Sequence, residues 1–151
     1  MKTKFFVIPI GIAVFFIALI AHSAMVNQGD TTWQVLTHID KVLDENQLPP
    51  GQDSQLIKIA EDDTVSIFVV RMMPGAELGP HFHKGHDEIE YVIRGKAELF
   101  VGDQWVKFKA GSIHFNPTGK VHAARNRGDE PLIVLIAFTP AMRETDRHFV
   151  K

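Results

Sequence analysis

The sequence predicts an all-β domain, a small barrel or sandwich, preceded by one short helix. Three observations lead to this prediction: short runs of β-branched and aromatic residues, alternation of apolar and polar side chains along them, and turn residues between them. The 151 residues, 45% hydrophobic and 23% charged, fit a globular protein with a single domain. We divide the chain into a leader, an arm, the barrel and a tail, at residues 1–23, 24–55, 56–140 and 141–151.

The composition excludes several classes of protein. Because the chain has no cysteine, disulfides, thiolate nucleophiles and cysteine-ligated zinc or iron–sulfur centres are excluded. With 16 basic and 18 acidic residues, the net charge is −2, so we expect no nucleic-acid partner. Eight histidines are the unusual feature of the composition, and their positions decide the functional prediction.

The first residues have the pattern of a secretory signal peptide. Two lysines precede an uncharged apolar run over residues 5–21, and small residues at 21, 23 and 24 offer a cleavage site after Ser23. This run is near the lower length limit for crossing a bilayer, so an uncleaved membrane anchor is the alternative. We predict that the chain is exported, as a periplasmic or secreted protein that is free of the membrane once cleaved.

Residues 31–46 have apolar positions at helical spacing: Val35, Leu36, Ile39, Val42 and Leu43. Thr31 or Thr32 can cap the start of a helix, and the sequence Pro-Pro-Gly at 49–51 ends it. We predict one amphipathic helix here, with an extended arm as the alternative.

From residue 56 onward the apolar pattern changes to a period of two. Eight runs bounded by Gly, Pro, Asp or Asn are typical of strands: 56–60, 64–73, 89–94, 96–101, 104–109, 113–115, 121–126 and 132–138. Strands this short, with turns at this spacing, favour a sandwich or small barrel over alternating strands and helices.

The hairpin around residues 102–103 has a register that the sequence predicts. A two-residue turn there pairs Phe100 with Trp105, and it pairs Glu98 with Lys107 as a favourable charge pair. The same register gives one core face, made of Ala97, Leu99, Val101, Val106 and Phe108. Because the Phe100–Trp105 pair then faces outward, we predict a homodimer interface, with cover by the N-terminal helix or the tail as the alternative.

Two histidines and a glutamate carry the chemistry of the chain. His81 and His83 are two residues apart, so on a strand both imidazoles point to the same side. The turn at 84–87 returns the chain so that Glu88 can supply an oxygen beside them, and His122 can supply a third imidazole. Such nitrogen and oxygen ligands suit Mn, Fe, Co, Ni or Zn better than Ca or Mg. The pattern therefore predicts a divalent transition-metal site.

The neighbours of these residues have alternative roles. Glu90 shares a face with Glu88 and is either a rival ligand or a partner that orients one. We expect His86, on the turn, to be an exposed loop residue, with a role toward substrate or in proton transfer as the alternative. Of His114 and Phe115, one must face inward, and we expect Phe115 to be the cavity wall.

These motifs resemble those of the cupin superfamily. Two sets of residues have the cupin spacing: Gly75, His81, His83, Glu88 and Gly95 in the first motif, and Gly111, Pro117, Gly119, His122 and Asn126 in the second. The resemblance spans residues 75–126. It implies a jelly-roll β-barrel with a metal held in its interior by His81, His83, Glu88 and His122. It also implies that Asn126 is a structural residue or a supporting neighbour of the metal ligands.

Four protein ligands leave one or two positions open on a five- or six-coordinate ion, as Lewis-acid or oxygen-activating chemistry requires. We therefore expect a small exported metalloenzyme, an oxidoreductase of the dioxygenase type that acts on a small organic substrate. The alternatives are a non-catalytic cupin that binds or senses a small ligand or a metal, and a cupin isomerase or decarboxylase.

Overall fold

A computed structural model describes residues 35–150 of the chain. The predicted leader, its cleavage site and the candidate caps Thr31 and Thr32 lie outside the described residues. In the part that is described, no helix has the length and apolar character needed to cross a membrane.

The helix α1 (Ile39–Glu45) is shorter than the periodicity predicts. Residues 35–38 are not helical, and His38 caps the helix by accepting a hydrogen bond from the backbone N–H of Asp40. The side chain of Leu36 is fully exposed, so this part of the apolar stripe has nothing to pack against. Val42, by contrast, is buried in a small apolar cluster with residues of the barrel strands, which explains why the helix forms where it does.

The described residues form ten strands: β1 (Ser54–Glu61), β2 (Ser66–Met72), β3 (Glu77–Phe82), β4 (Asp87–Arg94), β5 (Lys96–Val101), β6 (Gln104–Lys109), β7 (Ile113–Asn116), β8 (His122–Arg125), β9 (Leu132–Thr139) and β10 (His148–Phe149). They make two antiparallel five-stranded sheets, ordered β1-β2-β9-β4-β7 and β10-β3-β8-β5-β6. The predicted all-β jelly-roll class is confirmed. The main apolar core contains residues from both sheets, among them Phe68, Leu99, Leu132 and Phe138.

Strand pairing brings the chemistry-bearing residues toward one region. In the second sheet β3 pairs with β8, and the register places His81 directly opposite His122. In the first sheet β4 pairs with β7, and Glu88 lies opposite Asn116 while Glu90 lies opposite His114. Because all six of these side chains are buried or nearly so, they face the space between the sheets.

The predicted register of the β5–β6 hairpin is confirmed, including the pairs Phe100–Trp105 and Glu98–Lys107. Two details differ. Val101 lies at the end of β5 and is 37% exposed, so it is not a core residue. Glu98 bonds the guanidinium of Arg125 at 2.7 Å, and this guanidinium also lies 3.9 Å from the Trp105 ring centroid. Arg125 therefore covers part of the outer aromatic pair, and the homodimer stays a prediction.

Two strands were not among the predicted runs. The strand β3 contains Gly79 and Pro80 and has a register shift between Leu78 and His81, so it lacks a clean alternation of apolar and polar residues. The strand β10 has two residues and forms only by pairing with β3, which no local pattern reveals.

Gly95 lies between β4 and β5, where the backbone passes close to the backbone at Pro131 and Leu132. Its φ is +84°, and a Cβ atom there would lie 2.6 Å from the carbonyl oxygen of Pro131 and 2.9 Å from the Cα of Leu132. Gly102, in the hairpin turn, has a φ of +68°, and a Cβ atom on it would have no neighbour within 4 Å.

We therefore predict that Gly95→Ala lowers the free energy of unfolding by more than about 2 kcal/mol, because the left-handed backbone and the backbone clash both oppose it. The matched variant Gly102→Ala has only the conformational penalty, about 1 kcal/mol. Urea unfolding followed by tryptophan fluorescence measures both values. Equal losses in the two variants would contradict this account of the Gly95 contact.

Candidate metal centre

Four buried side chains from three strands and one loop form the centre. His81 lies near the end of β3, and His83 follows the last residue of that strand. His122 begins β8, and Glu88 is the second residue of β4 in the opposite sheet. Each of the four is at most 4% exposed, so their polar atoms are withdrawn from water.

The three imidazoles converge. One ring nitrogen from each of His81, His83 and His122 lies within 4.8 Å of the others. Glu88 reaches the same place from the other sheet: its Oε2 is 2.9 Å from Nε2 of His122 and 3.5 Å from Nε2 of His83. The structure thus brings together all four residues that the sequence singled out as metal ligands.

Backbone carbonyls orient the three rings. Nδ1 of His81 lies 2.9 Å from the oxygen of Gly79, and Nδ1 of His122 lies 3.3 Å from that of Lys120. Nδ1 of His83 lies 3.0 Å from the oxygen of Asp146, far along the chain. Since a carbonyl oxygen only accepts, each Nδ1 must carry the hydrogen, and each Nε2 then keeps a lone pair for the cluster.

The side chain of Asn116 also contacts this group, although the sequence motifs did not single it out. Its amide lies 2.7 Å from Nδ1 of His122, and its position on β7 is opposite Glu88. When the amide group of Asn116 is rotated by half a turn, its oxygen faces Nδ1 of His122. In that orientation the oxygen accepts the same Nδ1 hydrogen as the Lys120 carbonyl. The alternation of side chains along β7 could have identified Asn116 from the sequence, because it puts Asn116 on the same face as His114.

The charges of the cluster follow from its burial. Burial and repulsion from His122 lower the pKa of His81 to about 4, which leaves this imidazole neutral at physiological pH. For His83, burial alone would lower the pKa, but the hydrogen bond and charge of Glu88 outweigh it and raise the value. For Glu88, burial opposes ionisation, but contacts with His122 and His83 lower its pKa, so it is a carboxylate.

This arrangement fits a cation. Nε2 of His83 and Oε2 of Glu88 are fully buried and have no hydrogen-bond partner within the described structure. When every ring is neutral with its hydrogen on Nδ1, the Nε2 lone pairs and the carboxylate oxygen face one another as acceptors only. Buried acceptors without a donor are costly, and either added protons or a metal ion relieves that cost. Three neutral imidazoles with one carboxylate suit a divalent transition metal.

Glu90 and His114 form a second buried pair beside the cluster. Oε2 of Glu90 lies 2.6 Å from Nδ1 of His114, across the β4–β7 pairing. Burial raises the pKa of Glu90, the contact with His114 opposes this, and the charge of Glu88 adds to it. The expectation that Phe115 forms the cavity wall is wrong: its side chain is 55% exposed, and His114 points inward because the buried Glu90 carboxylate requires a partner.

The other two candidate neighbours lie away from the three histidines. The expectation that His86 is an exposed loop residue is wrong, because its side chain is 15% exposed. Its Nδ1 lies 2.8 Å from the carbonyl oxygen of Pro140, so His86 ties the turn after β3 to the region after β9. Asn126 is fully buried and donates to the carbonyls of Met72 and Glu130 at 2.9 Å, which makes it a structural link between loops.

Residues 140–150, which we call the closing segment, complete the centre. The side chain of Asp146 accepts hydrogen bonds from the backbone N–H groups of Lys84 and Gly85 at 2.8 and 2.7 Å. Its backbone carbonyl orients His83, as described above. The strand β10 then pairs with β3 beside His81. The sequence predicted only a tail here, because these contacts all join residues far apart along the chain.

A cavity of about 40 Å³ lies between the sheets at this centre. Its polar lining is His81, Glu88, Glu90, His122 and Arg147, and apolar side chains such as Leu78 and Phe138 form the rest of its wall. A larger depression of about 170 Å³ shares part of that wall and opens toward Ser54 and Gln55. The cavity is therefore small and mostly apolar, and it adjoins the depression near Ser54 and Gln55.

Comparisons with known proteins agree with this architecture. The family model described as "Cupin domain" matches residues 68–138. An uncharacterised protein of Aquifex aeolicus is 34% identical over 90 residues, which cover 60% of this chain and 72% of that protein. An oxalate decarboxylase of Bacillus subtilis is 33% identical over 91 residues, covering 57% of this chain but only 23% of the relative, so this chain corresponds to about a quarter of that enzyme.

A solved structure shares the same fold. It is an uncharacterised conserved protein with a double-stranded β-helix domain from Klebsiella pneumoniae, with a TM-score of 0.62 and 27% identity. The match covers 71% of this chain and 90% of the Klebsiella protein.

Proposed function

Since the chain belongs to the cupin superfamily, we propose that His81, His83, Glu88 and His122 hold a divalent transition metal between the two sheets. The observation that carries this proposal is the common orientation of the three imidazoles. Each has its Nδ1 on a backbone carbonyl, which leaves each Nε2 free to coordinate. Glu88, buried and ionised among them, supplies the negative charge. The donor set favours Mn, Fe, Ni or Zn.

We further propose that the protein is an oxidoreductase of the dioxygenase type for a small organic substrate. A bound transition metal would supply Lewis-acid or oxygen-activating chemistry at its free positions. The apolar walls of the cavity would exclude bulk water from the substrate. Glu90, whose pKa burial raises, would hold a proton at its carboxyl group beside the cavity, and His114 would orient that group.

A second candidate function is decarboxylation or retention of a small carboxylate. The observation that favours it is the similarity to a relative named as an oxalate decarboxylase. Oxygen uptake by the metal-loaded protein with a panel of small organic acids and alcohols separates the two. Substrate-dependent uptake supports the oxidoreductase, whereas carbon dioxide release without net oxygen consumption supports the decarboxylase.

We predict that metal content distinguishes Glu88 from Glu90. Glu88→Ala removes a ligand and should abolish stable binding, whereas Glu90→Ala removes only a neighbour and should weaken binding by about 10–100-fold. Elemental analysis after dialysis against buffers of defined free metal measures this difference. His86→Ala is the matched control, because His86 lies on the loop contacting Pro140. Full metal occupancy in a His81→Ala, His122→Ala double variant would rule out the proposed site.

We also predict that metal binding releases protons in mildly acidic solution, in part from His83. The raised pKa of His83 means that metal competes with a proton at this imidazole, whereas His81, with a pKa of about 4, is already neutral near pH 7. Apparent affinity should therefore fall as pH falls below 7, through protonation of His83. Calorimetric titrations in buffers of different ionisation enthalpy give the proton count. Affinity that stays constant between mildly acidic and mildly alkaline pH would contradict the prediction.

Export is a separate proposal, supported by the sequence alone. The basic start, the apolar run and the small residues near Ser23 favour a cleaved signal peptide and a periplasmic or secreted protein. N-terminal sequencing and intact mass of protein from its native source should show a chain that begins at Ala24 or Met25. Recovery of the full-length chain in the membrane fraction would support the anchor instead.

A further inference from the structure

Arg147 occupies the mouth of the cavity. It lies on the closing segment, where the residue is exposed to solvent, yet its side chain also lines the cavity beside His81 and Glu88. The same side chain lines the outer depression that opens toward Gln55. Arg147 therefore lies between the solvent-facing depression and the histidine cluster.

Among residues 35–150, the guanidinium of Arg147 has no hydrogen-bond or ion-pair partner. The other five arginines each contact an acceptor: Arg71 with Gln55 and the carbonyl of Asn46, Arg94 with Asp40, Arg125 with Glu98, Arg127 with Glu77 and Arg143 with Asp63. Within residues 35–150, Arg147 alone among the arginines has neither an ion pair nor a side-chain hydrogen bond.

Two carboxylates, those of Glu88 and Glu90, line the same cavity as Arg147. Glu88 contacts His122 and His83, and Glu90 contacts His114. Burial lowers the pKa of Arg147, although the charge of Glu88 opposes this effect. Arg147 therefore presents a cation at the cavity with no hydrogen-bonded acceptor among residues 35–150, a place that an anion from solution can take. With a divalent metal bound, the positive charges of the metal and Arg147 would exceed the negative charge of Glu88, so the cavity as a whole would also favour an anion.

The backbone around Arg147 is held on both sides. On one side, Asp146 accepts hydrogen bonds from the turn after β3, and its carbonyl accepts from His83. On the other side, His148 pairs with Phe82 in the β10–β3 ladder. Arg147 is thus presented from a fixed position, which reduces the entropy lost when it binds a ligand.

We propose that Arg147 is a specificity-determining residue that binds the carboxylate of a small substrate at the cavity mouth and directs the rest of the molecule toward the histidine cluster. The planar guanidinium fork matches a carboxylate in two hydrogen bonds. A cavity of about 40 Å³ has room for about three water-sized groups, at roughly 10–15 Å³ each. The ligand is therefore a small carboxylic acid. This inference rests on the proposed metal function, because the ligand would bind between Arg147 and that centre.

The test compares a small acid with its neutral counterpart on the metal-loaded full chain. Oxalate and oxamide, which differ in charge but little in size, are titrated by calorimetry into the wild type, Arg147→Met and Arg147→Lys. The matched control is Arg143→Met, which removes a positive charge from the same segment but from a side chain paired with Asp63 at the surface. Metal content is measured for every sample before and after titration.

We expect the wild type to bind oxalate and not oxamide, and Arg147→Met to weaken oxalate binding at least about tenfold. Arg147→Lys should be intermediate, Arg143→Met should match the wild type, and metal content should be equal in all four. Arg147→Gln serves in place of Arg147→Met should the latter not fold.

Two other results would overturn the inference. If the wild type holds metal but Arg147→Met binds oxalate as tightly, or oxamide binds equally well, the role of Arg147 is wrong and the metal site stands. If the wild type holds no metal under any condition, the proposed function and this inference fall together.

Discussion

Three imidazoles and a carboxylate are buried between the sheets, with their lone pairs turned toward one another. The backbone imposes this geometry, because each Nδ1 is committed to a carbonyl oxygen and cannot rotate inward without losing that hydrogen bond. An acceptor-only cluster in an apolar interior is stable only when a positive charge joins it. Protonation of His83 provides one such charge and a metal ion provides another, so acid and metal compete for the same space.

The sheets are arranged to satisfy this constraint. Antiparallel pairing of β3 with β8 puts His81 and His122 side by side, and the chain crosses to the other sheet between β3 and β4 to bring Glu88 opposite them. The pairing of β4 with β7 then supplies Asn116 and His114 as partners for the inner polar atoms. Pairs of strands therefore place three of the four ligands, while loops supply His83 and the carbonyls of Asp146 and Lys120 that orient His83 and His122.

Local sequence patterns predicted part of the metal centre, and they failed where packing or long-range contacts decide the structure. The spacing of His81, His83 and Glu88 indicated the centre, since period two and a tight turn are local properties, whereas His122 was assigned to it through the resemblance to cupin motifs. The helix at Ile39–Glu45 was predicted too long, because burial, not periodicity, decides which apolar residues pack. We expected Phe115 on the inner face because of its hydrophobicity alone. His114 takes that face instead, because the buried carboxylate of Glu90 needs a hydrogen-bond partner.

The roles of Asp146 and Arg147 had no signal in the sequence, because contacts between segments 63 residues apart leave no periodic pattern in either segment. The same applies to β10, whose two residues become a strand only because β3 has an open edge.

Asp146 orients His83 through its backbone carbonyl, so any residue at position 146 offers the same oxygen. Substitution there removes the side-chain bonds to Lys84 and Gly85 but not the carbonyl oxygen itself. Insertion or deletion between Pro140 and Asp146 is different, because it shifts which carbonyl faces the ring. The length of this connection, more than its composition, is what the centre requires.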